Sequence, residues 1–141
     1  MVTYFQNFQE VTHGVAMKIL IITDYSTPRG GAEIYCLKLR QLLREAGHDA
    51  RLFSSTVDNQ QHLYADFECW GTHEKVTNRL LQTFNPFALL KMHHILNNFK
   101  PDVVHLNLFL TQLSPALLLA LKRVPVVYTA HLYKIIRNYV L

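Results

Sequence analysis

Residues 17–49, MKILIITDYSTPRGGAEIYCLKLRQLLREAGHD, constrain the fold more than any other part of the chain. Lys18–Thr23 is a continuous apolar run, the pattern of a strand buried on both faces of a parallel sheet. The loop after it closes on Gly30-Gly31-Ala32-Glu33, and an amphipathic helix then runs to Gly47. Ala32, Cys36, Leu39, Leu43 and Ala46 recur at the helical period and predict its core-facing stripe, with Lys38, Arg40, Gln41 and Arg44 lying away from it. Gly47 predicts a left-handed C-cap, after which Ala50–Ser54 reads as a second strand and completes a βαβ unit. A strand, a glycine turn and a helix N-terminus in that order make a pocket for an anionic group, usually a phosphate. Glycine lets a ligand approach the backbone without a Cβ in the way. The first helical N–H groups point outward with roughly half an elementary positive charge.

The rest of the chain fits that start. Its 141 residues suffice for one domain with a real core and are short for two. Half of them are hydrophobic and only 17% are charged, which suits a buried sheet and argues against disorder. The net charge is +4, with no acidic residue after Asp102. A mild basic excess fits phosphate-bearing ligands or an anionic membrane surface, while the lack of a Lys/Arg run argues against nucleic acid as a partner. Cys36 and Cys69 are too few for a disulfide framework, and a buried, reduced thiol is expected at Cys36. The longest apolar run, Leu113–Leu121, is too short for a membrane span and contains Ser114 and Pro115. Residues 1–16 lack helical or strand period and the pattern of a signal peptide; they read as an N-terminal extension ahead of a domain at 17–141 in a cytoplasmic protein.

Further along, a short strand is expected near Phe67–Trp70 and a helix over Val76–Phe84. Asn85 as N-cap and Pro86 as first residue start another helix, with Ala88, Met92, Ile95 and Phe99 on one face. Val103–Leu106 reads as a buried strand, Pro115–Lys122 as a helix and Val126–Ala130 as the last strand. The fold class is therefore α/β, a Rossmann-like, mostly parallel sheet flanked by helices. In such sheets ligands collect at the carboxyl ends of the strands. Gly30-Gly31, the end of the second strand, His105 with Asn107, and His131 are all expected there.

The strand MKILIIT, the loop GGAE, the helix ending REAGHD, NP before a helix running to KPDVVHL, and QLSPALLLALKRVPVVYTAH followed by YKIIRNYVL occur in one order. In that order the chain resembles the N-terminal half of a family-four retaining glycosyltransferase of the GT-B fold, from Met17 to Leu141. The resemblance implies an acceptor-side domain that closes over a nucleotide-diphosphate sugar held mainly by a separate donor-binding domain. It implies transfer of a hexose-like sugar to a glycan or lipid-linked acceptor, with no metal and no cofactor beyond the donor sugar. Gly30 and Gly31 then approach the donor diphosphate, and His131 lines the reaction centre. His105, Asn107 and Arg29 are the candidates for the acceptor pocket. Leu108 and Leu132 stand where relatives carry polar residues. The donor-binding domain is not within these residues, so it has to be supplied in cis or in trans, and this stretch alone is expected to be inactive.

Plainer readings stand beside these. Gly30-Gly31 also suits a simple tight turn, Glu33 first-turn compensation of the helix dipole, and Arg29 a solvated loop position. His105 serves equally as a core-edge histidine, and Asn107 as a turn cap. His62, Cys69 and His73 lack the spacing of a zinc motif, and the adjacent His93 and His94 diverge on their helix, so no metal site is expected. Phe87, Leu89, Leu90, Lys91 and Lys100 offer peripheral contact with the inner face of a membrane, against the plainer role of a helix covering the sheet. A non-catalytic docking subunit or a degenerate remnant is the alternative to an enzyme half. A dinucleotide-dependent oxidoreductase is disfavoured, because the loop is not G-x-G-x-x-G and no acidic residue clearly ends the second strand.

Overall fold

A computed structural model describes residues 15–57 and 64–131 of the chain. Residues 1–14, His62, Leu132 and the tail from Tyr133 lie outside the described residues. The elements are β1 (Lys18–Ile22), α1 (Gly31–Glu45), β2 (Asp49–Ser55), β3 (Phe67–Cys69), α2 (Lys75–Thr83), α3 (Pro86–Asn98), β4 (Val103–Leu106), α4 (Leu117–Ala120) and β5 (Val126–Tyr128). The five strands form one parallel sheet in the order β3-β2-β1-β4-β5, which bears out the α/β, Rossmann-like expectation.

Alternation along β1 explains the layering. Ile19 and Ile21 pack with Ala50, Leu52 and the α1 residues Cys36, Leu37, Leu39 and Leu43. Leu20 and Ile22 pack instead with Phe53, Val104, Leu106 and the α3 residues Ala88, Met92 and Ile95. Successive strand side chains point to opposite faces, so a run apolar at every position needs a helix layer on each side. The chain builds outward from β1 through β2 to β3, then returns to the other side of β1 for β4 and β5. The strand order therefore reverses between β1 and β4, and a crevice opens there at the carboxyl ends.

Local signals set most element ends. Gly47 has φ of +89°, the Gly47 N–H donates to the Arg44 carbonyl at 3.0 Å, and the His48 N–H donates to the Leu43 carbonyl at 3.0 Å. That pair of bonds is a Schellman stop, and it needs a residue tolerant of the left-handed region. At α3, Pro86 occupies the first turn and the Asn85 side chain accepts the Ala88 N–H at 3.0 Å.

Four expectations need correction. Ala46 is not part of the buried stripe: it is the exposed C-cap residue, one position past the last helical turn. Arg40, expected away from the core, is largely covered, because it pairs with Asp66 and donates to the Tyr64 carbonyl. The helix expected over Pro115–Lys122 is a single turn, Leu117–Ala120. Its approach is held by i→i+3 bonds from Leu117, Leu118 and Leu119 to Ser114, Pro115 and Ala116, after Ser114 has taken a φ of +70°. The last strand ends at Tyr128 rather than Ala130, and as an edge strand it leaves Val126, Val127 and Tyr128 exposed.

Candidate functional site

The carboxyl ends of β4 and β5 bring His105, Asn107 and His131 together beside α1. His105 is partly buried on β4, with Nε2 at 2.7 Å from the Thr129 hydroxyl. Asn107 follows β4 and is buried; its backbone N–H donates to the Ile22 carbonyl at 3.0 Å. Its side-chain amide donates to the His105 carbonyl at 3.3 Å, which turns Oδ1 toward His131. His131 Nε2 lies 2.9 Å from that oxygen; an amide oxygen can only accept, so Nε2 is the donor of this bond and Nδ1 is left for another partner. Tyr35, on the second turn of α1, packs its ring 5.2 Å from the His131 ring and 6.1 Å from the His105 ring. Burial holds the His105 imidazole below its ordinary pKa, and the neighbouring His131 adds to that depression.

The Gly30-Gly31 turn lies at the start of the same helix. Gly30 is the N-cap, and among the described residues no side-chain cap bond is formed there. Those donors face outward with the positive helix end, as an anion requires. Neither glycine has a left-handed φ, and a Cβ at Gly31 would meet nothing within 4 Å among the described residues. The fold's own packing thus does not call for glycine at 31. A Cβ at Gly30 would lie 3.2 Å from Glu33 Oε2, and Glu33 is buried in the first turn, where it compensates the helix dipole. Arg29 sits on the rim of the turn with its guanidinium 4.5 Å from the Tyr25 ring centre.

Asp24, just past β1, is the residue that organises this rim, and no motif in the sequence marks it. Its buried carboxylate accepts the backbone N–H groups of Thr111 at 2.9 Å, Gln112 at 2.9 Å and Leu113 at 3.0 Å, and the Thr111 hydroxyl at 2.7 Å. Gln112 in turn accepts the Thr72 N–H, and the Gln112 carbonyl accepts the Asn85 side-chain amide at 2.6 Å. A small cavity of about 110 Å³ lies against this clamp, bounded by Asp24, Tyr25, Asn107, Phe109, Thr111 and Tyr128. The only available signal was an acidic residue directly after a buried strand, which does not reveal a partner 87 positions away.

The end of β2 does not open into the site as expected. Ser54 and Ser55 are buried, and the Ser55 hydroxyl donates to the Asp24 carbonyl at 2.6 Å. Among the described residues no group of three His, Cys, Asp or Glu side chains is arranged to hold a metal ion, and His62 lies outside them. A wider groove of about 550 Å³ runs past Leu37 and Gln41 on α1 and Tyr64 ahead of β3, but none of the clustered histidines lines it. Its walls are alkyl stems and charged heads, with Arg40 and Arg44 already committed to Asp66, so the smaller crevice is the better candidate for chemistry. Cys36 and Cys69 are free and buried, and burial pushes both thiols up to about 12.

On the far side of the molecule α3 covers the sheet with Ala88, Met92 and Ile95 while exposing Phe87 and Leu90. Trp70, also exposed, packs edge-on to Phe87 at 5.5 Å. No helix among the described residues is long and apolar enough to cross a membrane.

Residues 29–138 match the model of a family described as Glycosyltransferase Family 4. The match takes in Gly30, Gly31, His105, Asn107 and His131 and leaves β1 outside it. No curated protein matches the chain.

Proposed function

The chain belongs to glycosyltransferase family 4, and from that premise we propose that residues 17–141 are the acceptor-side domain of a retaining enzyme, behind an N-terminal extension at 1–16. The enzyme moves a hexose-like sugar from a nucleotide-diphosphate donor to a glycan or lipid-linked acceptor. The observation that carries this reading is the His131–Asn107 bond at 2.9 Å, formed at the reversal of strand order on the same side as the open N-terminus of α1.

Each group has a part in that reading. The outward N–H groups at Gly30 and Gly31 meet the charge that builds on the departing diphosphate, in the manner of an oxyanion hole. Glycine there keeps side chains out of the phosphate's path. Asn107 fixes the His131 tautomer, so that Nδ1 faces the sugars as an acceptor. His105 and Arg29 shape the acceptor side. Charge stabilisation by donors of this kind needs no metal, and the donor nucleotide is held by a second domain supplied in cis or in trans. The setting is cytoplasmic, with Phe87, Leu90 and Lys91 available for contact with the inner face of a membrane.

The test is nucleotide-diphosphate sugar binding and transfer by the chain, alone and with a family donor-domain polypeptide added. Binding and transfer are expected only with both halves present. His131→Ala is expected to lower transfer at least about a hundredfold, the usual scale for losing one such contact. Undiminished transfer in that variant would remove His131 from the reaction centre. Absence of binding and transfer in both conditions would favour a docking subunit, a reading supported by the exposed Trp70–Phe87 pair and Leu90.

A further inference from the structure

The Tyr35 ring has no place in the hydrophobic core. The α1 residues that face the sheet are Cys36, Leu37, Leu39 and Leu43, whereas Tyr35 lies at the rim and is 40% exposed. What it does touch is chemical: the His131 imidazole at 5.2 Å, tilted by 59°, and the His105 imidazole at 6.1 Å, edge-on at 88°. Those imidazoles come from different strands, and each already commits Nε2 to a neighbour, His105 to Thr129 and His131 to Asn107. A single hydrogen bond leaves a ring free to pivot about it. A second contact on the ring's other side removes that freedom, and edge or tilted aromatic packing is directional enough to do so.

We propose that Tyr35 is a positioning residue: its ring packs against both imidazoles, holds His131 in one orientation and couples it to the helix that carries the Gly30-Gly31 turn. The groups around the pair come from three elements, Tyr35 from α1, His105 and Asn107 from β4 and its exit, and Thr129 and His131 from the exit of β5. Any displacement of the first turns of α1 by an anion is then felt at His131. The functional meaning of this coupling rests on the reading of His131 as a reaction-centre group.

The experiment is imidazole NMR on the ¹⁵N-labelled chain without any donor. The wild type is expected to show cross-relaxation from the Tyr35 ring to both histidine rings, and a His131 signature with the proton on Nε2. Tyr35→Phe keeps the ring and is expected to keep both. Tyr35→Leu is expected to give a mixed His131 tautomer and to move the His105 titration back up toward its ordinary range as water reaches the ring. The proposal is overturned if Tyr35→Leu leaves both imidazoles as in the wild type, or if the wild type lacks the cross-relaxation, a measurement that stands even if the leucine variant does not fold. Failure to bind or transfer nucleotide sugar would sink the functional reading and leave these spectra unchanged. Where transfer is reconstituted, Tyr35→Leu is expected to lower kcat about tenfold with little change in KM, and Tyr35→Phe to restore it.

Discussion

The carboxylate of Asp24 accepts the backbone N–H of Gln112 at 2.9 Å, joining the exit of β1 to a loop 88 positions later in the chain. Around that bond the same carboxylate takes two more backbone N–H groups and a hydroxyl. The loop leaving β4, which carries Asn107, thus has its far end pinned to the strand beside it. Replacing Asp24 with Ala leaves those buried donors without an acceptor, which costs about 3 kcal/mol of unfolding free energy. Urea denaturation of the variant checks this; a change under about 1 kcal/mol would show that the clamp contributes little.

The two glycines at 31 and 71 are expected to respond in opposite ways. A Cβ at Gly71 would stand 2.8 Å from Ser55 Cβ and 2.9 Å from Gln112 Oε1, so Gly71→Ala overpacks a buried joint and is expected to cost about 1–3 kcal/mol. At Gly31 the Cβ meets nothing within 4 Å among the described residues, and the residue opens a helix. Gly31→Ala is therefore expected to gain about 0.4–1 kcal/mol by restricting the unfolded chain. If the turn receives a diphosphate, the same variant binds donor sugar more weakly while melting at a higher temperature. Thermal melts and binding isotherms on one preparation separate the two effects.

Acid is expected to destabilise the fold in two windows. His105 has a folded-state pKa below the ordinary 6.5, chiefly through burial. Below 6.5 the unfolded chain holds the proton that the folded site resists, so stability falls as pH drops through that range and recovers above it. For Asp66 burial alone would raise the pKa. The Leu52 N–H, Arg44 and Arg40 together outweigh it, and the carboxyl sits below its ordinary 3.8. Its stabilising contribution is full above that value and disappears as pH falls through the lowered folded pKa. Unfolding free energy measured from pH 7 to 3 in wild type and His105→Gln should show the upper slope flattened in the variant and the lower one retained.

Both thiols should be inert in the native protein. With Cys36 and Cys69 raised to about 12, almost no thiolate forms at neutral pH, and burial blocks a reagent as well. A thiol-specific chromophore is expected to label neither until denaturant is added, and then to label two per chain. Labelling before unfolding would show that one of the strands or helices around them opens locally.

Much of the fold was legible because its signals are local. The apolar run at Lys18–Ile22, the Gly47 stop and the Asn85-Pro86 start each act through backbone geometry within a few residues. Arg40 lies off the periodic stripe yet is covered, because its ion pair is with Asp66, across a connection that no periodic pattern marks. The Pro115–Lys122 segment kept an apolar spacing suited to a helix, yet its hydrogen bonds are of the tighter i→i+3 kind. Of the site residues, His131 and Asn107 were named from their strand ends. Their bond to each other and the Tyr35 ring beside them were not.

The layers are written into the order of residues: side-chain alternation makes β1 a two-faced central strand, and helical periodicity tells α1 and α3 which stripe to bury. These follow from repeats of two and of nearly four residues, which any stretch of chain carries within itself. Folding in three dimensions is what reverses the strand order at β1 and β4, closes Asp24 on residues 111–113, and gathers Tyr35, His105, Asn107 and His131 into one corner. The long-range hydrogen bonds among them join groups 24 to 89 positions apart, and ring contacts bring Tyr35 to both histidines. A hydrogen bond depends on where two atoms end up in space, and the spacing of residues along the chain holds no trace of it.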